Sequence, residues 1–303
     1  MNILSPIKII DTMIGAATTI AEPAAGETAW VASGTYAVGD LRIRATTHRV
    51  YSCVQAHTGR TALPENDSAY WLDKSPTLRW APFDVYTSTA ATATTSLTYV
   101  LTPGYFNSLF IYGASGSTYS ITIKNATGGT VIFMKTGGLS EDPVGWYEYL
   151  FSPLKTITKI ALTDLPIRPT AEVTITLNGS TVSVGMINVG DYVSLLGGLP
   201  GGIEYGATAE PISYSYIKVN ADGATTIVKR ASATGMRAKV VMSQAALDQA
   251  LTNIQSVLDT PVSWVASDIA GYAGLNIFGL GSASVSYDGP THGSLNIVVK
   301  GLI

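Results

Sequence analysis

The sequence predicts a mainly β protein of several domains, built as β-sandwiches or barrels, with one amphipathic helix in the C-terminal domain. Two observations indicate this class. Apolar and polar residues alternate along many short runs, which is the pattern of strands that bury one face. Gly, Asn, Asp and Pro stand between these runs, where tight turns need them. The predicted strands cover residues 108–112, 119–123, 131–134, 157–162, 172–177, 181–184, 212–219, 225–228, 236–242 and 294–299.

Two dipeptides predict tight hairpins. Asn178-Gly179 and Asp222-Gly223 each stand between two of the predicted strands. Both central positions of such a turn need a positive φ, which Asn, Asp and Gly adopt at little cost. We therefore expect the chain to reverse direction at both places.

Residues 243–259 carry the one clear helical pattern. Ser243 is a natural N-cap, and Pro261 is expected to end the helix. We expect the apolar face to pack as a lid on a sheet rather than to bind a partner, which is the usual behaviour of such helices. The face consists of Leu247, Leu251, Ile254 and Leu258, with Ala250 and Val257 beside them.

Changes in composition divide the chain into four predicted segments. A small-residue stretch containing a proline ends the first segment, and a Thr- and Ala-rich stretch, 86–96, is expected to be a linker or an edge strand. A Gly- and Pro-rich stretch begins the last segment. The segments are an N-terminal arm and linker (1–28), a small β domain (29–85), a β-sandwich domain (86–196) and a C-terminal β domain with the helix (197–303).

The charge content limits the function classes. With 18 basic and 21 acidic residues, the chain lacks the basic excess of a nucleic-acid-binding protein. With 46% hydrophobic residues, it is not disordered. Charged residues make up only 13%, against about 25% in an average soluble protein. Because interface cores are depleted of charge, we expect much of the surface to face other chains.

The longest stretch without Asp, Glu, Lys, Arg or His covers 85–123. Thr, Ser, Gly and Asn interrupt it too often for a membrane-spanning helix, so no membrane insertion is expected. We expect this stretch to form a contact between subunits. The single cysteine, Cys53, permits no internal disulfide, which favours synthesis and folding in a cytoplasm.

The search for a catalytic or metal site gives few candidates. The chain has only three histidines, His48, His57 and His292, and none stands in a spacing typical of zinc sites. Cys53 lies four residues before His57, but no third group is placed to orient a base, so a buried thiol is expected. The sequence therefore predicts no enzyme, with no catalytic residue, metal or cofactor.

One enzymatic alternative stays open. Glu141, Asp142 and Glu148 surround an aromatic segment that resembles the lining of a sugar cleft. Glycoside hydrolysis needs only two carboxyl groups, so this alternative is a glycan hydrolase.

The block between residues 29 and 85 carries an ordered set of aromatic residues. The set consists of Trp30, Tyr36, Gly39-Asp40, Tyr51, Pro64 and Trp71, together with the run from Tyr51 to Thr58. In these residues the block resembles the small chitin- and cellulose-type carbohydrate-binding modules of bacterial hydrolases. The resemblance implies a sugar site made by Trp30, Tyr36, Tyr51, His57 and Trp71.

The sugar-stacking positions of that family depart from its pattern here. Val54-Gln55 occupies one of them, and Leu63 with its two small neighbours occupies the other. The alternative is therefore a three-stranded scaffold in which Trp30, Tyr51 and Trp71 form the core.

The whole chain has a second, more diffuse resemblance. The segments that carry it are the N-terminal arm, the 29–85 block, the β region that follows, the single helix and residues 78–84, 214–230, 260–265 and 294–302. With these segments the chain looks like the tail-tip proteins of tailed bacteriophages, and distal-tail or baseplate ring proteins in particular.

This second resemblance implies a virion structural protein in the phage tail. It implies a homo-oligomer, a hexameric ring, that joins the tail tube to hub or fibre proteins, with the small module at the periphery touching a host surface glycan. The alternative is a carbohydrate-binding adhesin or receptor-binding tail protein.

Overall fold

The protein is mainly β, which confirms the predicted fold class. The computed structural model describes residues 1–140, 145–151, 155–195, 203–220, 223–230, 232–266 and 272–302. The strands are β1 (Asn2–Pro6), β2 (Thr35–Tyr36), β3 (Leu41–Arg44), β4 (Arg49–Cys53), β5 (His57–Thr58), β6 (Trp71–Pro76), β7 (Ala91–Leu101), β8 (Ser108–Tyr112), β9 (Thr118–Lys124), β10 (Val131–Gly138), β11 (Lys159–Leu162), β12 (Glu172–Val184), β13 (Met186–Ser194), β14 (Thr208–Ser213), β15 (Tyr216–Val219), β16 (Thr225–Val228), β17 (Ser232–Ser243), β18 (Val262–Val265), β19 (Asn276–Ser286) and β20 (His292–Gly301). The helices are α1 (Trp146–Phe151) and α2 (Gln244–Gln255).

Two sheets make up the body of the molecule. A nine-stranded antiparallel sheet has the order β11-β8-β13-β1-β18-β19-β20-β17-β14, and a four-stranded sheet has the order β10-β9-β12-β7. The largest apolar core lies between the four-stranded sheet and strands β8, β11 and β13. A second core lies between α2 and the other half of the large sheet. Among the helices that the structure describes, none has the length and apolar character needed to cross a membrane.

The first strand lies in the middle of the nine-stranded sheet. β1 pairs with β13 on one side and with β18 on the other, and Ile3 and Leu4 are buried there. The predicted N-terminal arm therefore contributes a central strand. The large sheet combines strands from three of the four predicted segments, and the independent folding of those segments stays a prediction.

The hairpin predicted at Asn178-Gly179 is wrong. β12 runs straight through this dipeptide and pairs with β7 and β9 on its two sides, with an irregularity beside Asn178. A Cβ atom on Gly179 would lie 2.9 Å from the Ser117 backbone nitrogen and 3.1 Å from the Gly116 Cα atom. The glycine is needed for close approach of two backbones, and not for a turn.

The hairpin predicted near Gly223 is confirmed. β15 and β16 pair in antiparallel register, and Gly223 adopts a φ of 79° in the turn. Asp222 lies outside the described residues. The predicted run 212–219 is divided between β14 and β15, of which only β14 belongs to the large sheet.

Helix α2 packs on the large sheet as predicted, but its buried face is rotated. It contacts strands β17, β19 and β20. Leu251 is only half-buried and Leu258 is 41% exposed, so the predicted leucine stripe is wrong at these two positions. The helix ends at Gln255, and Leu258 lies beyond it. The buried residues are Leu247, Ala250, Ile254 and, just after the helix, Val257.

A leucine comparison tests this face. Leu247→Ala is expected to lower the free energy of unfolding by about 2–5 kcal/mol, because it leaves a cavity between α2 and the sheet. Leu258→Ala is expected to change it by less than about 0.5 kcal/mol. Urea unfolding of the two variants at equal protein concentration measures the difference. Equal losses of unfolding free energy in the two variants would mean that Leu258 is buried, as the predicted leucine stripe requires.

The uncharged stretch 85–123 is not mainly a subunit contact. It forms much of β7, β8 and β9, and most of its large side chains are buried inside this chain, with Val85, Tyr86 and Tyr105 as exposed exceptions. The stretch lacks charge because the two sheets pack over it. Its buried residues include Leu97, Tyr99, Leu101, Phe106, Leu109, Phe110, Ile111, Ile121 and Ile123.

Candidate functional site

The aromatic residues of the 29–85 module come together as its core. Strands β3, β4 and β6 form one sheet and β2 and β5 a second, smaller one. The Tyr36 and Trp71 rings meet edge to face with centroids 5.0 Å apart, and the His57 ring lies 5.3 Å and 5.4 Å from them. Trp71 is only 2% exposed. Tyr51 is also buried, and Trp30 packs partly against the cluster.

The hydroxyl groups of Tyr36 and Tyr51 bond within the module. The Tyr36 hydroxyl donates to the Val31 carbonyl oxygen at 2.7 Å and accepts from the Val31 N–H at 2.8 Å. The Tyr51 hydroxyl lies 3.2 Å from the Thr47 hydroxyl. The geometry thus favours the alternative of a structural core, because a buried ring offers no face for a sugar to stack on. Sugar binding at these residues stays a prediction.

The cysteine next to this core is a poor nucleophile. Cys53 is buried, and its Sγ lies 3.1 Å from the Gln55 carbonyl oxygen and 3.8 Å from His57 Nδ1. Burial raises the pKa of the Cys53 thiol, which disfavours the reactive thiolate. Of the carboxyl groups of the hydrolase alternative, Glu141 and Asp142 lie outside the described residues, as does the side chain of Glu148.

A carboxylate in the predicted linker joins the module to the body. Glu22 accepts hydrogen bonds from Thr77 Oγ1 at 2.6 Å and from Trp80 Nε1 at 3.1 Å. His48 Nδ1 lies 3.0 Å from the same carboxylate, and the His48 ring stacks on Trp80 with centroids 4.0 Å apart. The other ring nitrogen of His48 lies 3.1 Å from Asp11. Sequence reasoning missed this cluster because its members are far apart in the chain.

Removing the Glu22 carboxylate tests its role in the junction. Glu22→Ala is expected to lower the free energy of unfolding by about 3 kcal/mol, because buried donors on Thr77 and Trp80 lose their acceptor. Asp11→Ala is the matched control and is expected to cost less than about 0.5 kcal/mol, since Asp11 is solvent-exposed. Thermal unfolding compares the two. Equal stability of both variants would contradict a structural role for Glu22.

Helix α1 exposes an aromatic surface. Its five large apolar side chains are between 62% and 82% exposed, with Trp146 the most exposed. Trp146 contacts Tyr149, with ring centroids 6.2 Å apart, and Tyr147 contacts Phe151 at 5.4 Å. The rings thus pack mainly on one another. Exposed apolar surface of this extent marks an interaction site in soluble proteins.

The β15–β16 hairpin is a second exposed apolar element. Among the strands that the structure describes, its two strands pair only with each other, and Ile217, Val219 and Ile227 are each about two-thirds exposed. The Arg230 guanidinium lies over the Tyr216 ring, 5.3 Å from its centroid. An isolated two-stranded ribbon is marginally stable in water, so a partner that covers its apolar side chains would stabilise it.

Comparisons of the chain with models of protein families, with curated proteins and with solved structures find no match. The two exposed apolar elements, α1 and β15–β16, are therefore the main physical guide to what this molecule contacts.

Proposed function

We propose that this chain is a structural subunit that acts by assembly. Specifically, it is a ring-forming component of a bacteriophage tail tip that joins the tail tube to hub or fibre proteins. The exposed aromatic helix α1 is the observation that carries the assembly part of the proposal. The resemblance of the N-terminal arm, the module and the C-terminal segments to tail-tip proteins supports the place in the particle.

The size of the exposed surface supports assembly. At 150–250 Å² for a buried aromatic side chain, covering the five large side chains of α1 removes roughly 600 Å² from water. A stable interface buries about 800 Å² on each partner. Helix α1 together with the β15–β16 hairpin therefore supplies enough apolar area for contacts to neighbouring subunits.

The charge content supports the same conclusion. The chain has half the usual fraction of charged residues. The cores of both sheets account for part of this deficit, since the uncharged stretch 85–123 is largely buried. The exposed aliphatic and aromatic residues of α1 and β15–β16 account for another part, as expected where charge-depleted surface faces other chains.

Negative-stain electron microscopy of the purified chain tests the proposal. We expect closed rings of uniform diameter, because a heterologous interface that closes gives a ring of fixed copy number. Irregular aggregates would show that the apolar surfaces lack a specific partner. Isolated particles of single-subunit size at all concentrations would reject self-assembly.

A further inference from the structure

One edge of β7 is covered by the chain's own N-terminal arm over half of its length and is uncovered over the other half. β7 is an edge strand of the four-stranded sheet. At its C-terminal half, the N-terminal arm covers the edge, with the Gly15 N–H donating to the Val100 carbonyl at 2.7 Å and the Thr19 N–H donating to the Thr98 carbonyl at 3.0 Å. The arm turns away after Thr19. No strand in the described part of the chain lies next to the edge from Ala91 to Ser96.

Three backbone amides face outward along this uncovered edge. Ser96 lies two residues before Thr98, so its backbone groups point to the same side. Thr92 is opposite Ser183, whose own N–H and carbonyl bond to Ser115 on the far side of β12. The Thr92–Ser183 pair is therefore not hydrogen-bonded, and the backbone groups of Thr92 and Thr94 also face outward. Within the described residues, no acceptor is recorded for these three N–H groups.

A groove of about 610 Å³ is lined in part by the residues that carry these amides. One wall is the edge of β7, with Thr92, Thr94 and Ser96. The other wall comes from the following residues of the N-terminal arm and linker, including Ile20, and from Leu78. None of the residues that line the groove is ionisable, and most are Thr, Ala or Ser.

We propose that this groove binds an extended, uncharged peptide segment of a partner protein, which adds to the sheet as a fifth strand next to β7. Outward-facing amides supply the affinity in strand addition, and the small uncharged walls select small and β-branched side chains. Ile20 and Leu78 line the groove beside the edge and leave little room there. A single extended peptide therefore fits better than the edge of a folded sheet. Thr95 adopts a φ of 68° within the uncovered edge, so we expect the added segment to pair regularly with Thr92 and Thr94 and to reach Ser96 across an irregularity.

Amide hydrogen exchange of the full chain with a defined peptide tests the proposal. The probe is a blocked hexapeptide, acetyl-Thr-Val-Thr-Ala-Thr-Val-amide, at millimolar concentration. We expect exchange at Thr92, Thr94 and Ser96 to slow by at least about tenfold. The control is the same peptide methylated on alternate backbone nitrogens, which cannot pair with a strand edge. No protection by the first peptide, or equal protection by both, would overturn the proposal.

Two variants at one position separate backbone pairing from side-chain contact. Thr94→Pro removes an outward N–H at an edge position where proline is tolerated, and we expect peptide affinity to fall by about fivefold or more. Thr94→Val keeps the N–H and the β-branched shape, and we expect unchanged affinity. Equal affinity of both variants would overturn the assignment of β7 as the pairing edge.

Occupation of the groove by a second copy of the chain is a distinguishable outcome. In that case the three amides become protected as protein concentration rises without any peptide, which would overturn the assignment to a partner segment. Amide exchange at these three residues reports only on β7, so the outcome of this experiment does not depend on whether the chain forms a ring.

Discussion

Trp264→Ala is expected to lower the free energy of unfolding by about 3–5 kcal/mol. Trp264 lies on β18 in the large sheet and is 0% exposed. Its Nε1 donates to the Gly279 carbonyl oxygen at 3.2 Å. Truncation leaves a cavity and removes the donor from a buried carbonyl. Hydrogen exchange of β18, β19 and β20 amides measures the loss.

The neighbouring strand β19 offers a second test of how the Trp264 ring is packed. A Cβ atom on Gly281 would lie 2.0 Å from Trp264 Cζ2, so Gly281→Ala forces the ring to move and is expected to cost about 1–3 kcal/mol. In the Trp264→Ala background this clash is gone, so adding Gly281→Ala is expected to cost nothing further. Additive effects of the two substitutions would contradict the packing of the ring on Gly281.

The second prediction concerns Trp146, which is exposed, in contrast to the buried Trp264. The double variant Trp146→Ser with Phe151→Ser is expected to weaken self-association by at least about thirtyfold, the effect of losing a hot spot of 2 kcal/mol or more. Its unfolding free energy at low protein concentration is expected to change by less than about 0.5 kcal/mol, because both side chains are exposed. Light scattering against concentration measures the association.

A matched control separates a specific interface from general stickiness. Val38 and Leu72 are also exposed large apolar residues, but they lie in the module. Val38→Ser with Leu72→Ser removes comparable exposed side chains and is expected to leave association unchanged. Weakening of association by the two double variants alike would contradict a specific role for α1.

Sequence reasoning found strands that turn residues bound. β8 has the predicted bounds between Asn107 and Gly113 although all five of its residues are buried, and β16 has them after Gly223 although it is mostly exposed. β13 was missed because Gly190 interrupts its apolar run. β19 was missed because it contains Gly279 and Gly281, which weaken a strand pattern. Gly281 is required by the Trp264 ring, a contact that only the tertiary structure defines.

The candidate site was less predictable than the fold. The sequence marks Trp146 and Tyr147 as part of an aromatic cluster, but it does not say whether a ring is buried or exposed. The same limit applies to Trp71, where the module pattern predicts a ring for sugar contact and the structure places it in a core. Glu22 lies in a stretch with linker composition, and its partners are 26 to 58 residues away. Long-range hydrogen bonds of this kind leave no local pattern.

Sedimentation velocity of the wild-type chain over a wide concentration range tests the central claim most directly. Assembly predicts a discrete species at a fixed multiple of the 31.8 kDa subunit mass, six copies for the proposed ring, in equilibrium with or replacing the monomer. The α1 double variant should shift that equilibrium to the monomer. A single 31.8 kDa species for the wild type at every concentration would contradict the claim that this chain assembles through its exposed apolar surfaces.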